Sequence, residues 1–216
     1  MQMKIKGALF DMDGVVVDNH QYHFKAWMEF SRRHNFNLNK EIYRDKFNGK
    51  TNSDLFRMIF GDISAEDVDC FAKEKEGLYM ELYSPHMMAH TGLVEFLEFL
   101  KSSGIKIALG TSAPTMNVDF TLDRLKLREH FEVIVDGPQV TKGKPDPEVY
   151  CLCASKLGLD PKECVVFEDA LAGLDAGKAA GCQIVGVATS HDESELRPKT
   201  NLIIKDFIEA KRLLKL

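Results

Sequence analysis

The chain has 216 residues, enough to bury a sizeable core as one large domain or as a core domain carrying a smaller insertion. Lys and Arg number 28 against 33 Asp and Glu, a formal net charge of -5, so no basic field is available to neutralise a phosphate backbone and nucleic acid is excluded as the main partner. Cys70, Cys151, Cys153, Cys164 and Cys182 form no CxxC pair and no zinc-type spacing with His, which excludes a structural zinc module and fits reduced thiols.

In chain order, the first apolar run is "IKGALF", a strand that ends at Asp11. From about Val17 to Tyr83 no strand pattern follows; the interval reads as successive helices, an inserted α-helical domain. "HQYHFKAWMEFSRRH" puts His23, Trp27 and Phe30 on one face, and "SDLFRMIFG" ends in a C-terminal glycine. "AEDVDCFAKEKEGLYMELY" has an apolar stripe at Val68, Phe71, Ala72, Leu78, Tyr79 and Leu82, with Lys75 out of pattern in its middle. The alternation then resumes with the helix "GLVEFLEFLKSSG", closed by Gly104, the strands "GIKIALG" and "FEVIVDG", and the helix "DPEVYCLCASKLGLD", opened by Asp146 and Pro147. "ECVVFED", "CQIVGVAT" and "NLIIKD" complete six strands.

Near-continuous apolar strands alternating with helices predict an α/β fold, a parallel sheet covered on both faces. Residues 1–16 and 84–216 form this core and residues 17–83 the helical insertion. Ligands of such sheets bind beyond the carboxyl ends of the strands, where Asp11, Thr111, Asp136, Glu168 with Asp169, and Thr189 collect. No apolar stretch approaches the roughly 20 residues that span a bilayer. The N-terminus shows no signal-peptide pattern, and a cytoplasmic, monomeric protein without membrane attachment is expected.

Two carboxylates one residue apart, in "FDMDG", repel each other at the end of an apolar strand unless a cation joins them. Mg²⁺ takes one or two carboxylates, waters and substrate phosphate oxygens in an octahedral array, so Asp11, Asp13 and the distant Asp169 could form its nest. One carboxylate could then attack phosphorus while the other carries the proton of the leaving oxygen. Lys144 and Thr111 could complete the charge balance and hold the transferring group. The plain alternatives are an Asx turn at Asp11, a solvated loop lysine at 144 and a helix-capping threonine at 111. A calcium loop is disfavoured, because Gly14 comes too early and no glutamate stands twelfth from Asp11.

"DMDGVVVD", "GTSA", "GKPDPEVY" and "VVFEDALAGLDAGKAAG", in that order, resemble the four motifs of the haloacid dehalogenase (HAD) superfamily. With the helical insertion after the first motif, nearly the whole chain resembles its β-phosphoglucomutase-like phosphatase branch. The resemblance implies a Rossmann-like three-layer core with a small helical cap, and a Mg²⁺-dependent phosphatase working through an aspartyl phosphate. It implies Asp11 as nucleophile, Asp13 as acid/base, Thr111 and Lys144 as phosphate-site residues, and Ser112 and Ala113 beside them as substrate contacts. The implied metal shell is Asp11, Asp13 through its backbone carbonyl, Glu168 and Asp169.

Two cap residues resemble those of the mutases. His23 matches a histidine that links cap closure to the acid/base, although a histidine on an apolar face is also an ordinary packing residue. Lys75 matches a substrate-contacting lysine, or else a lysine whose stem snorkels over apolar neighbours. The loop "FNGKTNSD" points the other way: Asn48 and Asn52 stand where the mutases carry a lysine and an arginine, which removes a bidentate phosphate clamp. Asn48, Gly49, Lys50 and Asn52 are therefore the candidate specificity contacts. The expected substrate is a small phosphorylated metabolite, a sugar phosphate foremost. β-Phosphoglucomutase activity is the alternative, with a non-catalytic phosphoacceptor module behind it.

Overall fold

A computed structural model describes residues 5–47, 51–200 and 202–213. The chain divides into two compact units, Met1–Asp18 with Met88–Leu216, and Asn19–Met87. The first unit begins with β1 (Gly7–Phe10), whose four residues are all buried.

The helical unit comprises α1 (His20–Arg33), α2 (Lys40–Lys46), α3 (Asn52–Phe60) and α4 (Ala65–Tyr83). Its core is aromatic: Phe30 of α1 packs on Trp27, Phe56 and Phe71. Helix α3 ends at Gly61, whose positive φ of 80° is a backbone conformation that glycine adopts at least cost. Ser64 and Asp67 start α4 with a reciprocal capping box. Helix α2, not anticipated from the sequence, is seeded by Asn39, whose side chain accepts from the Ile42 N–H at 2.8 Å. The stripe on α4 also differs from expectation. Leu82 is 36 % exposed, and the buried line runs through Lys75, Leu78, Tyr79 and Tyr83.

The larger unit continues through α5 (Leu93–Ser102), β2 (Lys106–Gly110), α6 (Thr115–Leu125), β3 (Val133–Val135), α7 (Glu148–Leu157), β4 (Cys164–Glu168), α8 (Leu171–Ala180), β5 (Gln183–Val187), α9 (Glu193–Leu196), β6 (Leu202–Ile204) and α10 (Phe207–Leu213). All six strands lie where the apolar runs placed them. They form one parallel sheet in the order β3-β2-β1-β4-β5-β6, a Rossmann-like arrangement whose order reverses beside β1.

Alternate residues of β1 and β4 feed opposite layers. Phe10 stacks on Phe167 at 4.6 Å and meets Phe96 of α5 and Phe207 of α10. Leu9 and Val166 point to the other face, into a cluster with Tyr150, Cys153, Ala154 and Leu157 of α7 and Ala176 of α8. Each fully buried Phe or Leu contributes about 1.5–3 kcal/mol. The sheet is thus buried on both sides, and only the strand ends are left for polar chemistry. No helix among the described residues is long and apolar enough to cross a membrane.

Candidate active site

The site is assembled by strand register. Phe10 of β1 pairs with Leu109 of β2 and with Phe167 of β4, so the next residues, Asp11, Gly110 and Glu168, emerge at one level on three adjacent strands. After Asp11 the chain turns through Asp13, whose backbone bridges to Val17, and Gly14, whose φ is 81°. A glycine carries this turn without the steric cost that a side chain would impose.

Lys144 is the centre of the charge arrangement. Its Nζ donates to Asp11 Oδ1 at 2.8 Å, to Glu168 Oε1 at 2.6 Å and to the Gly110 carbonyl at 3.2 Å. Burial works against the ammonium charge, but the Asp11 and Glu168 carboxylates outweigh it and hold the Lys144 pKa above its usual value. Glu168 Oε1 also accepts from the Tyr150 hydroxyl at 2.8 Å, and its Oε2 accepts from the Ala170 N–H at 3.0 Å. Burial pushes the Tyr150 phenol well above its usual pKa, so it stays a donor.

Burial, opposed by Lys144, together with Glu168, Asp169 and Asp13 pushes Asp11 up to about 8. One ammonium does not balance this many carboxylates. Asp11, Glu168 and Asp169 bring oxygen atoms within 4.8 Å of one another, a hard donor set with excess negative charge that suits a hard divalent cation.

Thr189, just past β5, places its hydroxyl 2.7 Å from the Gly14 carbonyl and 3.2 Å from Asp169 Oδ2, tying two loops of the site together. The Asp169 carbonyl accepts from Ser190 Oγ at 3.0 Å. Thr111 is buried at the end of β2, and its Oγ1 accepts from the Ala113 N–H at 3.1 Å, which leaves the hydroxyl proton available to an incoming oxygen. Ser112 beside it is exposed. Asp136 stands apart from the metal-type cluster: it accepts from Thr115 and Gln139 and fixes the start of α6.

A second polar cluster lies within the helical unit. Lys75 and Glu76 are 3 % and 2 % exposed, and Lys75 Nζ sits 2.9 Å from Glu76 Oε1 and 3.1 Å from His23 Nδ1. Glu76 Oε1 accepts from Asn52 Nδ2 at 2.6 Å. The His23 ring stacks on Tyr79 at 3.9 Å, and Asn19 donates to the Tyr79 hydroxyl at 2.7 Å. Lys75 is therefore an ion-paired interior group, not a lysine snorkelling to solvent. Asn48, Gly49 and Lys50, the other candidate contacts of this unit, lie outside the described residues.

The structure thus gathers Asp11, Lys144, Glu168 and Asp169 in the larger unit, and His23, Asn52 and Lys75 in the helical one. Sequence reasoning missed Tyr150, Thr189 and Glu76. Thr189 is legible as a strand end but not in its role, and the tyrosine closing "GKPDPEVY" is the available signal for Tyr150.

Residues 8–187 match the family model of the haloacid dehalogenase-like hydrolases. The chain is 33% identical over 193 residues to a phosphorylated carbohydrates phosphatase of Thermotoga maritima, covering 88% of this chain and 89% of that protein. It is 31% identical to the beta-phosphoglucomutase of Bacillus subtilis, over 85% of this chain and 83% of that one. Among solved structures, it resembles a family IA, variant 3 hydrolase from Entamoeba histolytica with a TM-score of 0.87 and 31% identity, over 95% of both chains.

Proposed function

Since the chain belongs to the haloacid dehalogenase-like hydrolases, we propose that it is a Mg²⁺-dependent phosphatase that hydrolyses a small sugar phosphate. One observation carries the reading: Lys144 bridges Asp11 and Glu168 at the carboxyl end of the central strands, beside Asp169. Similarity to a phosphorylated carbohydrates phosphatase supports the substrate class.

The residues that would hold Mg²⁺ come from Asp11, Glu168 and Asp169, with the Asp13 carbonyl. When bound, the ion neutralises the carboxylates and the phosphate oxygens. Asp11 attacks phosphorus, and its new O–P bond forms as the bond to the sugar oxygen breaks. Asp13 gives that oxygen its proton. Water then loses a proton to Asp13 and attacks the phosphoaspartate, releasing phosphate and restoring Asp11. Lys144 holds Asp11 in place and offsets the charge that develops, and the Thr111 hydroxyl donates to a phosphoryl oxygen. We assign choice of the leaving group to the helical unit, whose buried Lys75 and Glu76, with half-buried His23 and Asn52, form a cluster costly to maintain for packing alone.

The second reading is β-phosphoglucomutase activity, supported by similarity to that enzyme and by the Lys75–His23 contact. It is disfavoured by Asn52, a neutral amide already bonded to Glu76, at the position expected to clamp a second phosphate. A panel of phosphate esters, with Mg²⁺ and with EDTA, tests both. Phosphate release that requires Mg²⁺ and is abolished in Asp11→Asn supports the phosphatase. Glucose 6-phosphate formed from β-glucose 1-phosphate and catalytic bisphosphate, without free phosphate, establishes the mutase instead.

A further inference from the structure

We propose that Glu148 is the positioning residue of Lys144: its carboxylate folds the loop that carries the lysine back onto helix α7, so that the ammonium lands on Asp11. The inference rests on the phosphatase reading, in which Lys144 holds the nucleophile, and goes beyond it by naming what holds Lys144.

Lys144 lies in no strand or helix. Residues 140–147 form a loop in front of α7, and a long side chain on a loop is aimed only as well as the backbone beneath it is fixed. On the carboxyl side of Lys144 the loop is stiff. Pro145 and Pro147 have restricted φ, the Asp146 N–H donates to the Gly143 carbonyl at 3.0 Å, and Asp146 Oδ1 accepts from the Glu148 N–H at 3.0 Å. The amino side is not held by packing. Thr141, Lys142 and Gly143 are exposed, and a Cβ on Gly143 would meet nothing within 4 Å.

Glu148 supplies the restraint on that side. Its Oε1 accepts from the Thr141 N–H at 3.0 Å, and its Oε2 accepts from the Thr141 hydroxyl and from the Lys142 N–H, both at 2.8 Å. Two successive backbone amides and a hydroxyl thus converge on one carboxylate. The donors of Thr141 and then Lys142 hold the Glu148 carboxyl below its usual pKa, which makes these bonds charge-assisted at neutral pH. The other end of the tether is anchored in the core: Val149 and Tyr150 follow at once, and with Cys153, Ala154 and Leu157 they pack α7 against the sheet. An acid in the first turn of α7 also suits the helix dipole. Fixed from both sides, Lys144 reaches Asp11 Oδ1, Glu168 Oε1 and the Gly110 carbonyl.

Amine-selective acylation of the full-length protein in Mg²⁺, read residue by residue by mass spectrometry, follows Lys144 directly. Its side chain is 9 % exposed, whereas that of Lys142, the internal standard, is 73 % exposed. Glu148→Ala is expected to label at Lys144 on the order of tenfold faster than wild type, with Glu148→Gln, which keeps one acceptor oxygen, between them. On the best ester of the panel, Glu148→Ala lowers kcat about ten- to a hundredfold and leaves KM within about twofold. Glu163→Ala is the control for loss of a surface acid: Glu163 accepts from Lys6 and from the Asp160 N–H at the opposite end of β4, and its removal leaves both readouts at wild-type values. Unchanged labelling of Lys144 in Glu148→Ala overturns the proposal, and so does an equal fall of kcat in Glu163→Ala. If Glu148→Ala folds poorly, Thr141→Val, which removes the hydroxyl donor alone, bears the test, and wild-type labelling in it is the refuting result. Absence of any hydrolysed ester defeats the phosphatase reading, while the labelling still decides what places Lys144.

Discussion

Gly173 of α8 faces Glu168 of β4 so closely that a Cβ at position 173 would overlap the Glu168 carboxylate. Alanine normally stabilises a helix interior over glycine by about 1 kcal/mol. At position 173 the sign reverses, because the carboxylate must move away from Lys144, Tyr150 and the Ala170 N–H. Gly173→Ala is expected to lose about 2 kcal/mol or more of stability together with most of its turnover. Gly77→Ala in α4, where nothing lies within 4 Å, is the control and gains up to about 1 kcal/mol. Thermal or urea unfolding of both variants measures the contrast; equal shifts would refute it.

The buried pair in the helical unit answers differently to single and double replacement. Lys75→Met takes the ammonium away from the buried Glu76 carboxylate and costs about 3–5 kcal/mol. Adding Glu76→Leu to Lys75→Met removes that buried charge as well and recovers a large part of the loss. Urea denaturation gives both numbers, and a double variant less stable than Lys75→Met alone would contradict the argument.

Thr189 joins the Gly14 carbonyl to Asp169 Oδ2. Thr189→Val keeps the shape and removes the hydroxyl. Mg²⁺ affinity is expected to fall about tenfold through loss of aim at Asp169, with little change in thermal stability. Unchanged calorimetric binding would show that the hydroxyl has no such part.

His90 gives the fold a pH dependence. Burial lowers its pKa below the usual 6.5, against the opposing pull of Asp18, Asp206 and Asp169, and its buried Nδ1 has no hydrogen-bond partner among the described residues. The unfolded chain therefore takes up this proton first as pH falls, so stability declines below about pH 6.5 and recovers above it. His90→Gln should reduce the difference in unfolding free energy between about pH 7.5 and pH 5.5. An undiminished difference would assign the effect to other groups.

How much of this was legible beforehand differs from residue to residue. The six strands and the residues at their ends could be read because a parallel sheet buried on both faces demands continuous apolar runs, which stop where solvent and ligands begin. Helix α2 escaped because its seven residues show little periodicity and its only marker was Asn39. Lys75 looked out of place for a related reason: the helical period says which face a residue occupies, but not that a neighbouring acid will follow it inside.

By itself, the sequence determined the sheet, the inserted helices and the arrival of Asp11, Thr111 and Asp169 at one end of it, because alternation and strand ends are local properties of the chain, whereas Lys144, in a loop, was reached only through the family resemblance. Only the tertiary structure decided that Glu168 accepts from Lys144 and Tyr150, that Thr189 reaches Asp169, and that Glu76 neutralises Lys75 while binding Asn52. Those are choices among hydrogen-bond partners, some far apart in the chain. The physical reason is that saturation of a carboxylate is set by donors converging in three dimensions, which no spacing along one strand encodes.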